Sequence, residues 1–295
     1  MPMIAEDILK KIKRIEIISK KTAQDIFAGE YHSAFKGRGM EFSEVREYQM
    51  GDDIRFIDWN VSSRMGRMFV KQFVEERELT IILAIDLSSS QDFSSGPKSK
   101  KEIATELAAV VAFTALLNND KVGLLIFTDQ VELFIPPKKG KTHLLRMIRD
   151  ITTFSPEGKK TSIDHALIYL NKAIKKRAVV FLISDFIDAG FDTSLKISAR
   201  KHDLIAVDIA DRRETHPPAE GLYIFRDNES GEEFLADFNR QSFRDAFSGL
   251  RGKREKALAD TFIRNNIDYL SVGTEGRYER ALFDLFTRRK RKFSR

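Results

Sequence analysis

Two strongly apolar runs, each followed by an aspartate, constrain the fold of this chain more than any other feature. Residues 81–85 and 178–183 are aliphatic or aromatic throughout, which is typical of strands buried on both faces of a parallel sheet. The first run leads into Asp86-Leu87-Ser88-Ser89-Ser90 and the second into Ser184-Asp185. Open α/β sheets bind ligands beyond the carboxyl ends of their strands, so the two aspartates mark a candidate site.

Segments with strand and helix patterns alternate from Leu79 onward, which predicts a mainly parallel sheet with helices on both faces. The strand predictions are 122–127, 131–135, 178–185, 204–209 and 269–272, and the helix predictions are 100–117, 142–153, one from about 163, 192–201, 240–265 and 277–287. Pro136-Pro137 is expected to end the short strand before it. The predicted fold class is therefore α/β, a three-layer, mainly parallel, doubly wound sheet.

Three parts are predicted along the chain. Residues 1–76 form an N-terminal extension, with a helix in 3–27 and a strand over 67–76 that leads to the central one. Residues 77–287 form the α/β domain, with a β-hairpin insertion at about 217–238. Residues 288–295 form a basic tail, which we interpret as a solvated or partner-docking end.

The charge balance gives no support for specific nucleic-acid binding. The tail holds six of the fifty basic residues and no acid. Without it the chain has 44 basic and 44 acidic residues, so the net charge of +6 belongs to the tail.

Composition excludes several classes of chemistry. The chain has no cysteine, so disulfides, thiolate metal sites and cysteine nucleophiles are ruled out. Its five histidines have no spacing that suits zinc. The first 13 residues lack the apolar core of a signal peptide, and the longest uncharged apolar run, 107–117, is too short to span a bilayer. We therefore expect a cytoplasmic protein without a transmembrane segment.

The segment 41–59 interleaves aromatic side chains, carboxylates and arginines without a regular period, and we call it the acidic-aromatic box. Its candidate structural or interaction residues are Arg46, Tyr48, Gly51, Asp52, Arg55, Asp58 and Trp59. Paired carboxylates can act in catalysis. Arginines at matching density would instead hold them ionised and paired, so we favour a partly buried ion-pair network around the single tryptophan.

The site at the strand ends can be assembled from five residues. Asp86, Ser88 and Ser90 alternate, so their oxygens can point toward one place beyond the first strand. Asp185 reaches the same crevice if the two apolar strands are neighbours, and Thr161 can add a hydroxyl from a glycine-containing loop. Oxygen ligands of low total charge suit hard cations such as Mg²⁺. The alternative is that these polar residues only cap strand ends.

These five residues resemble the metal-ion-dependent adhesion site (MIDAS) of von Willebrand factor A domains. The upstream motifs are similar to those of a bacterial family, the MoxR-associated, von Willebrand A-like group called domain of unknown function fifty-eight. The motifs are Gly37-Arg38-Gly39, Glu41-Phe42, Arg46-Glu47-Tyr48, Gly51-Asp52-Asp53-Ile54-Arg55, Ile57-Asp58-Trp59, Val70-Lys71, Phe73 and Glu76-Arg77-Glu78. The resemblance covers most of residues 30–210.

The resemblance implies a fold, a cofactor and a partner. It implies the A-domain fold and a divalent cation, Mg²⁺ with Mn²⁺ or Ca²⁺ as alternatives, bound by Asp86, Ser88, Ser90, Thr161 and Asp185. It also implies that a MoxR-type AAA+ ATPase, or a client protein delivered to it, is the partner. Because three of the five ligands are neutral hydroxyls, the cation favours one more carboxylate, and we expect the partner to supply it through an acidic side chain. The predicted function is a non-enzymatic, metal-dependent protein–protein interaction module, of adaptor or chaperone type.

The alternative function is a metal-dependent phosphate-ester or nucleotide hydrolase. Gly140-Lys141-Thr142 is similar to the end of a P-loop, but Ile135 stands where that loop needs a glycine. The Gly-x-Ser-x-Gly motif of serine hydrolases is absent. Metal hydrolases usually bring more carboxylates or histidines than two acids. We therefore favour the binding module.

Overall fold

The chain forms two compact units in the computed structural model, which describes residues 2–24, 31, 34–35, 41–74, 78–215, 219–226, 228, 231–275 and 278–293. The smaller unit is residues 35–78, and the larger comprises residues 1–34 and 79–295. The predicted boundary after residue 76 lies close to the second of these divisions. The N-terminal helix, however, groups with the larger unit and not with the extension to which it was assigned.

The helices and strands of the described residues are as follows. The helices are α1 (Pro2–Thr22), α2 (Trp59–Met65), α3 (Lys100–Leu117), α4 (Lys141–Thr153), α5 (Ile163–Ala173), α6 (Asp192–Lys201), α7 (Arg212–Thr215), α8 (Gln241–Arg264) and α9 (Tyr278–Phe293). The strands are β1 (Glu41–Glu47), β2 (Phe69–Val74), β3 (Thr80–Asp86), β4 (Lys121–Phe127), β5 (Val131–Lys138), β6 (Val179–Ser184), β7 (Asp203–Ala210), β8 (Leu222–Arg226), β9 (Glu233–Asp237) and β10 (Asp268–Gly273). Within the described ranges, we find no helix whose length and hydropathy would let it span a bilayer.

The larger unit is built on a six-stranded sheet in the order β10-β7-β6-β3-β4-β5. All neighbouring pairs are parallel except β4 with β5. From β3 the chain moves outward to β4 and β5 and then returns to β6 on the other side. The strand order therefore reverses between β3 and β6, where a doubly wound sheet opens a crevice. The predicted fold class, mixed α/β with a mainly parallel sheet, is confirmed.

Helices cover both faces of the sheet because side chains alternate along each strand. Ile82 and Ala84 of β3 belong to a buried cluster that includes Leu167 of α5, Leu195 of α6 and Phe262 of α8. Helix α3 packs on the opposite face and is itself contacted by α1 and α4. This explains why α3 is apolar almost all round and mostly buried. Its start is fixed by a capping box between Ser99 and Glu102.

Strand β5 continues through the two prolines that were expected to end it. The prediction is wrong because β5 is the edge strand of the sheet, where missing N–H donors are tolerated. Ile135 pairs with Leu124 and Lys138 with Val122, so the stretch that contains the prolines carries one extra residue, a β-bulge.

The end of the chain also differs from the prediction, because α9 continues to Phe293 and has no break at 288. Arg289 is buried and forms ion pairs with Asp203 and, at 2.9 Å, with Asp268. The prediction of a solvated tail that starts at residue 288 is therefore wrong. Residues 294–295 lie outside the described ones.

The β-hairpin insertion is confirmed as β8 and β9, which pair from Leu222 with Asp237 to Arg226 with Glu233. Phe225 and Phe238 pack against Phe247 of α8, with ring centroids 6.3 and 5.7 Å apart. The hairpin and the first half of α8 thus share an aromatic cluster. The predicted turn at 228–231 falls only partly within the described residues.

The smaller unit contains a two-stranded antiparallel sheet of β1 and β2 and the short helix α2. The strand predicted over 67–76 is observed as β2, but it pairs with β1 and not with the central sheet. The sequence pattern predicted neither β1 nor α2, since each is only seven residues long and the segment has no regular period. Gly37-Arg38-Gly39 and Glu76-Arg77 lie outside the described residues.

Candidate metal centre

Three loops meet at the carboxyl edge of the central strands, and we define them by their residues. The first loop is residues 87–92 after β3, the second is residues 154–162 between α4 and α5, and the third is residues 185–191 after β6. Strands β3 and β6 are hydrogen-bonded neighbours in the register Ile85 with Ile183. The two apolar strands are therefore neighbours, as the shared site required, and Asp86 and Asp185 lie at the same crevice, where the strand order reverses.

Asp86 is the most enclosed of the candidate ligands and has no exposed surface. Its Oδ1 accepts a hydrogen bond from the Ser88 amide at 2.9 Å, and its Oδ2 accepts one from the Ser184 hydroxyl at 2.6 Å. Burial and the neighbouring charge of Asp185 raise the pKa of Asp86 to about 7, although both hydrogen bonds act in the opposite direction. A cation at this position would relieve the same unfavourable burial of charge.

The two serines of the first loop bring their hydroxyls together, with Ser88 Oγ and Ser90 Oγ 3.1 Å apart. Ser88 is buried, and the loop then turns into a short 3₁₀ helix, Ser89–Asp92. A hydroxyl oxygen has two lone pairs, so one that shares a single hydrogen bond with its neighbour can still bind a cation. The structure thus brings together the hydroxyls of the two residues that alternate with Leu87 and Ser89 after Asp86.

The second loop is held against the first by the backbone. The Ser89 amide donates to the Lys159 carbonyl at 3.0 Å, and the Ser162 amide donates to the Thr128 carbonyl at 2.9 Å. Thr161 lies between these two anchored positions and is partly buried. The structure thus places the predicted threonine on the loop beside the first loop.

Gly158 lets the second loop approach the β4–β5 turn closely. Its amide donates to Glu132 Oε1 at 2.8 Å, and the Thr128 hydroxyl donates to the same oxygen at 2.8 Å. A Cβ atom on Gly158 would lie 2.2 Å from both Thr128 Oγ1 and Asp129 Oδ1. Any side chain here would push the second loop away from the turn that positions it.

Asp185 carries an interaction that the sequence did not predict. Lys100 Nζ donates to Asp185 Oδ2 at 2.9 Å and also to Glu214 Oε1. The side chains of Lys100 and Asp185 are each 1% exposed, and that of Glu214 is 21% exposed. Burial works against the charge of Lys100, but the charges of Asp185 and Glu214 outweigh it and raise the lysine pKa.

No signal in the sequence distinguishes Lys100 from its neighbour Lys101. Both stand in the first turn of a helix that follows a polar loop, where lysine is usually solvated. Lys101 instead donates to the Phe154 carbonyl at 2.9 Å. Only the packing of α3 beside the end of β6 decides which of the two lysines reaches the aspartate.

Asp211, which follows β7, is a third strand-end aspartate and is saturated by protein donors. It accepts hydrogen bonds from the Ser95 amide and hydroxyl, from the Thr274 hydroxyl at 2.9 Å and from the Arg213 amide at 2.8 Å. Burial favours protonation, but these hydrogen bonds prevail and lower the pKa of Asp211. We assign it a structural role, because it ties the loop that precedes Lys100 to the end of β7.

The donor set fits a small hard cation, with one condition. Asp86, Ser88, Ser90 and Thr161 offer one carboxylate and three neutral hydroxyls, which are ligand types that Mg²⁺ accepts. Asp185 adds a second carboxylate, but its Oδ2 is shared with Lys100 and its Oδ1 accepts the Ile187 amide at 3.2 Å. In the part of the chain that the structure describes, no group of three or more His, Asp or Glu side chains is placed to hold a metal. A cation here would therefore depend on the hydroxyls.

A cavity of about 360 Å³ opens beside the third loop. Its wall is mainly apolar and contains two guanidinium groups and one carboxylate; the lining residues are Phe93, Ile187, Arg213, Glu214, Phe225, Phe247, Leu250 and Arg254. Arg254 also donates to the backbone carbonyl of Asp185. The cavity thus adjoins the third loop and is bounded by the hairpin and α8.

The acidic-aromatic box, in the smaller unit, is only partly the network that was predicted. Arg46 binds Asp52 through two hydrogen bonds of 2.8 and 2.6 Å, and Asp52 also accepts the Gln49 amide. Arg55 pairs with Asp53, not with Asp52 or Asp58, and its side chain is 82% exposed. Gly51 has a φ of +109°, which the turn before Asp52 requires.

The end of the box corrects the prediction further. Asp58 is the N-cap of α2, accepting the amides of Asn60 and Val61 at 3.0 and 3.1 Å, and it lies 3.6 Å from Lys71. Trp59 is 67% exposed, so no buried network surrounds it. Tyr48 is partly buried. The prediction of an ion-pair element is right for Arg46 and Asp52 and wrong for Arg55 and Trp59.

Fold and site together define a doubly wound α/β domain whose switch point carries two carboxylates and a cluster of hydroxyls. The sequence model described as "Protein of unknown function DUF58" matches residues 44–257. Because that match covers most of the chain, the protein belongs to this family, as its motifs indicated.

Similar proteins include a relative of nearly full length and two solved structures. Uncharacterized protein Rv1480 of Mycobacterium tuberculosis (strain ATCC 25618 / H37Rv) is 28% identical over 269 residues, which cover 90% of this chain and 84% of the relative. The conserved hypothetical protein BatB from Bacteroides thetaiotaomicron is 15% identical with a TM-score of 0.47, covering 72% of this chain and 99% of that one. The SpRpn10 VWA domain is 14% identical with a TM-score of 0.40, covering 72% and 94%.

Proposed function

We propose that this protein is a non-enzymatic protein–protein interaction module whose partner binding requires a divalent cation, Mg²⁺, held by Asp86, Ser88, Ser90, Thr161 and Asp185. One observation carries the proposal. Two strand-end carboxylates and the paired hydroxyls of the first loop converge at the switch point of the sheet. Ligand sites of doubly wound proteins lie at this point.

The residues of the chain leave a bound cation under-neutralised. Three of the five ligands are neutral hydroxyls, and Asp185 already shares one oxygen with Lys100. When bound, the cation supplies a positive docking point for one more carboxylate, for which an Asp or Glu of a partner is the natural source. Enclosing that contact in an interface strengthens it relative to an exposed ion pair and makes association metal-dependent.

The cavity beside the third loop supports a protein partner by offering contact area next to the metal. Ile187 and Leu250 are 46% and 71% exposed at its edge, and an apolar side chain of the partner can enter between them. Arg213 and Arg254 would favour a segment that carries acidic residues near that side chain. An acidic contact at the metal and an apolar anchor beside it would together define the docking site.

The partner that we propose is a MoxR-type AAA+ ATPase, or a client protein delivered to it. Membership of the family and the motifs shared with its MoxR-associated members support this choice. The non-enzymatic role is supported by the sequence, which lacks the Gly-x-Ser-x-Gly motif of serine hydrolases and the first glycine that a P-loop ending at Gly140 would need.

The decisive experiment measures metal binding and partner capture with the same three proteins: wild type, Asp86→Ala and Asp92→Ala. Asp92 is an exposed carboxylate in the same first loop, so it controls for the change in charge. Mg²⁺ at about 100 times its Kd should stabilise wild type and Asp92→Ala by about 2.7 kcal/mol in thermal melts, and leave Asp86→Ala unchanged. Wild type and Asp92→Ala should capture the MoxR-type ATPase, and Asp86→Ala should not. Chelator should abolish the capture.

Two outcomes would contradict the proposal. One is capture that survives both the chelator and Asp86→Ala in a folded protein. The other is metal-dependent hydrolysis of a phosphate ester or nucleotide by the purified chain that Asp185→Ala removes, which would favour the hydrolase alternative.

A further inference from the structure

The ammonium group of Lys100 contacts Asp185, which is one of the five proposed metal ligands. It donates to Asp185 Oδ2 at 2.9 Å and to Glu214 Oε1, and it stands 5.9 Å from the centroid of the Phe93 ring. The lysine and aspartate side chains are almost completely enclosed. If this ammonium moved into water, it would leave the buried carboxylate of Asp185 without a counter-charge, so it is retained within the site.

Charge balance at the site shows what this ammonium leaves unsatisfied. Asp185 and Glu214 are the two carboxylates that Lys100 contacts, and Asp86 is a third carboxylate, close enough to Asp185 for their charges to interact. The carboxylates at this edge of the sheet therefore outnumber the ammonium. Arg254 reaches the backbone carbonyl of Asp185 from the cavity side, not its carboxylate. Lys100 alone therefore does not satisfy the carboxylates of the site, and a further cation at Asp86 and Asp185 is favourable.

We propose that Lys100 is a built-in cation that competes with the divalent metal for Asp185, and that Glu214 is the carboxylate that retains the ammonium when the metal binds. Like charges repel strongly at the short distances of an enclosed site. A metal that uses Asp185 therefore requires the ammonium to move toward Glu214. This inference rests on the proposed metal site and adds to it the residues that set its affinity.

The competition predicts opposite changes in metal affinity when Lys100 is removed and when Glu214 is neutralised. Removing the ammonium frees Asp185 and strengthens metal binding. Neutralising Glu214 removes the carboxylate to which the ammonium can withdraw, so Lys100 stays on Asp185 and metal binding weakens. Independent charge effects would have the same two signs, so the double variant Lys100→Met/Glu214→Gln is compared with the single ones. Competition predicts that Glu214→Gln no longer weakens metal binding once the ammonium is absent, whereas independent charge effects would add.

The test is titration calorimetry with Mg²⁺, and with Mn²⁺ followed by its electron paramagnetic resonance signal, on wild type, Lys100→Met, Glu214→Gln and Lys196→Met. Lys196 is the control for loss of a lysine charge, because it is an exposed lysine of α6 outside the three loops. We expect Lys100→Met to bind about tenfold more tightly than wild type or better, since a like charge beside the metal is removed. Glu214→Gln should bind several-fold more weakly, and Lys196→Met should bind like wild type.

Thermal melts provide a second readout that does not need a partner. Lys100→Met leaves Asp185 and Glu214 without their ammonium, so it should melt well below wild type in chelator and recover most of that loss with Mg²⁺. If this variant does not fold without metal, Glu214→Gln still decides the question. The side chain introduced by Glu214→Gln can keep its place in α7, because its amide oxygen can still accept the hydrogen bond that the Asp211 amide gives to Glu214.

The possible results separate this inference from the proposed function. Unchanged metal affinity in both Lys100→Met and Glu214→Gln, with wild type binding metal through Asp86, would overturn the competition and leave the metal site standing. Metal binding by Lys100→Met but not by wild type would support the competition and remove the metal dependence from the proposed function. No metal binding by any of the four proteins would overturn both.

Discussion

The hydroxyl of Ser184 donates to Asp86 Oδ2 over 2.6 Å, and so joins the last residues of the two central strands. The same hydroxyl accepts the Phe186 amide at 3.0 Å, at the start of the third loop. Ser184 therefore determines both the direction of the Asp86 carboxylate and the path of the chain beyond Asp185. No feature of the sequence predicted a role for this serine, although it stands directly before the second aspartate.

Ser184→Ala should lower the free energy of unfolding by about 2–3 kcal/mol, because it leaves a buried carboxylate oxygen and a buried amide without this partner. Urea unfolding in chelator measures the change. Ser248→Ala, at an exposed serine of α8, is the matched control and should stay within about 0.5 kcal/mol of wild type. Equal stability of the two variants would show that the hydroxyl does not contribute as described.

The core of the site could be predicted from the sequence because its chemistry is local. Asp86, Ser88 and Ser90 lie within five residues and follow a strand whose apolar character is unbroken. Their neighbour Asp185 required only that two buried strands be adjacent, which parallel sheets often satisfy. Lys100 and Glu214 could not be predicted, because their contacts depend on how α3 and α7 pack at the sheet edge.

The fold could likewise be predicted wherever helices and strands are long and periodic, because such patterns are local in the sequence. Helix α6 and the bounds of α3 agree with the prediction to the residue. The errors fall where tertiary contacts overrule a local pattern. Pro136-Pro137 is tolerated because β5 is the edge strand of its sheet, and the basic residues of α9 do not all face solvent because Arg289 meets Asp203 and Asp268 from distant strands.

Arg289 is expected to be important for stability, although it belongs to a run of basic residues. Arg289→Met should destabilise the protein by about 3–5 kcal/mol, since it leaves Asp203 and Asp268 without their buried cation. Arg288→Met is the control, because Arg288 is exposed and donates to the Asp284 carbonyl of its own helix. Chemical denaturation of the two variants should differ by most of that amount. A difference below about 1 kcal/mol would mean that the ion pairs contribute little net stability.

The acidic-aromatic box can be tested by two adjacent substitutions with opposite expectations. Asp58→Ala removes the N-cap of α2 and should cost about 1–2 kcal/mol. Trp59→Ala should leave stability nearly unchanged, because its side chain is 67% exposed. This unit also exposes other large apolar side chains, namely Met50, Ile54, Met65 and Met68. Such exposure is typical of interaction surfaces, so we expect Trp59→Ala to weaken capture of the partner.

Denaturation and capture experiments on the same preparations distinguish the two roles of the box. Leu117→Ala, which truncates a 45% exposed side chain of the larger unit, is the control for loss of exposed apolar surface. If Trp59→Ala unfolds the protein, the box is a packing element. If it captures the partner as well as wild type does, Trp59 is not part of the docking surface.

His202 is buried at the end of α6 and accepts the Ala178 amide at its Nδ1, 3.3 Å away. Burial, together with the charges of Lys201 and Arg177, lowers the pKa of His202 to about 4. The unfolded chain binds this proton near the ordinary value of about 6.5. The folded protein therefore holds a neutral histidine through a pH range in which the unfolded chain is protonated.

This difference predicts a loss of stability in mild acid. The stabilising contribution is complete above pH 6.5 and is lost as the pH falls from 6.5 to about 4, with a maximum of about 3 kcal/mol from this histidine. His202→Asn keeps an acceptor near the position of Nδ1 but cannot be protonated, so it should lose less stability than wild type on acidification. It should be less stable than wild type at pH 7, because the buried imidazole ring is replaced by a smaller side chain. Urea unfolding of both proteins at intervals between about pH 7.5 and 4.5 measures the two slopes. Parallel curves would show that His202 takes up its proton equally well in the folded and unfolded states.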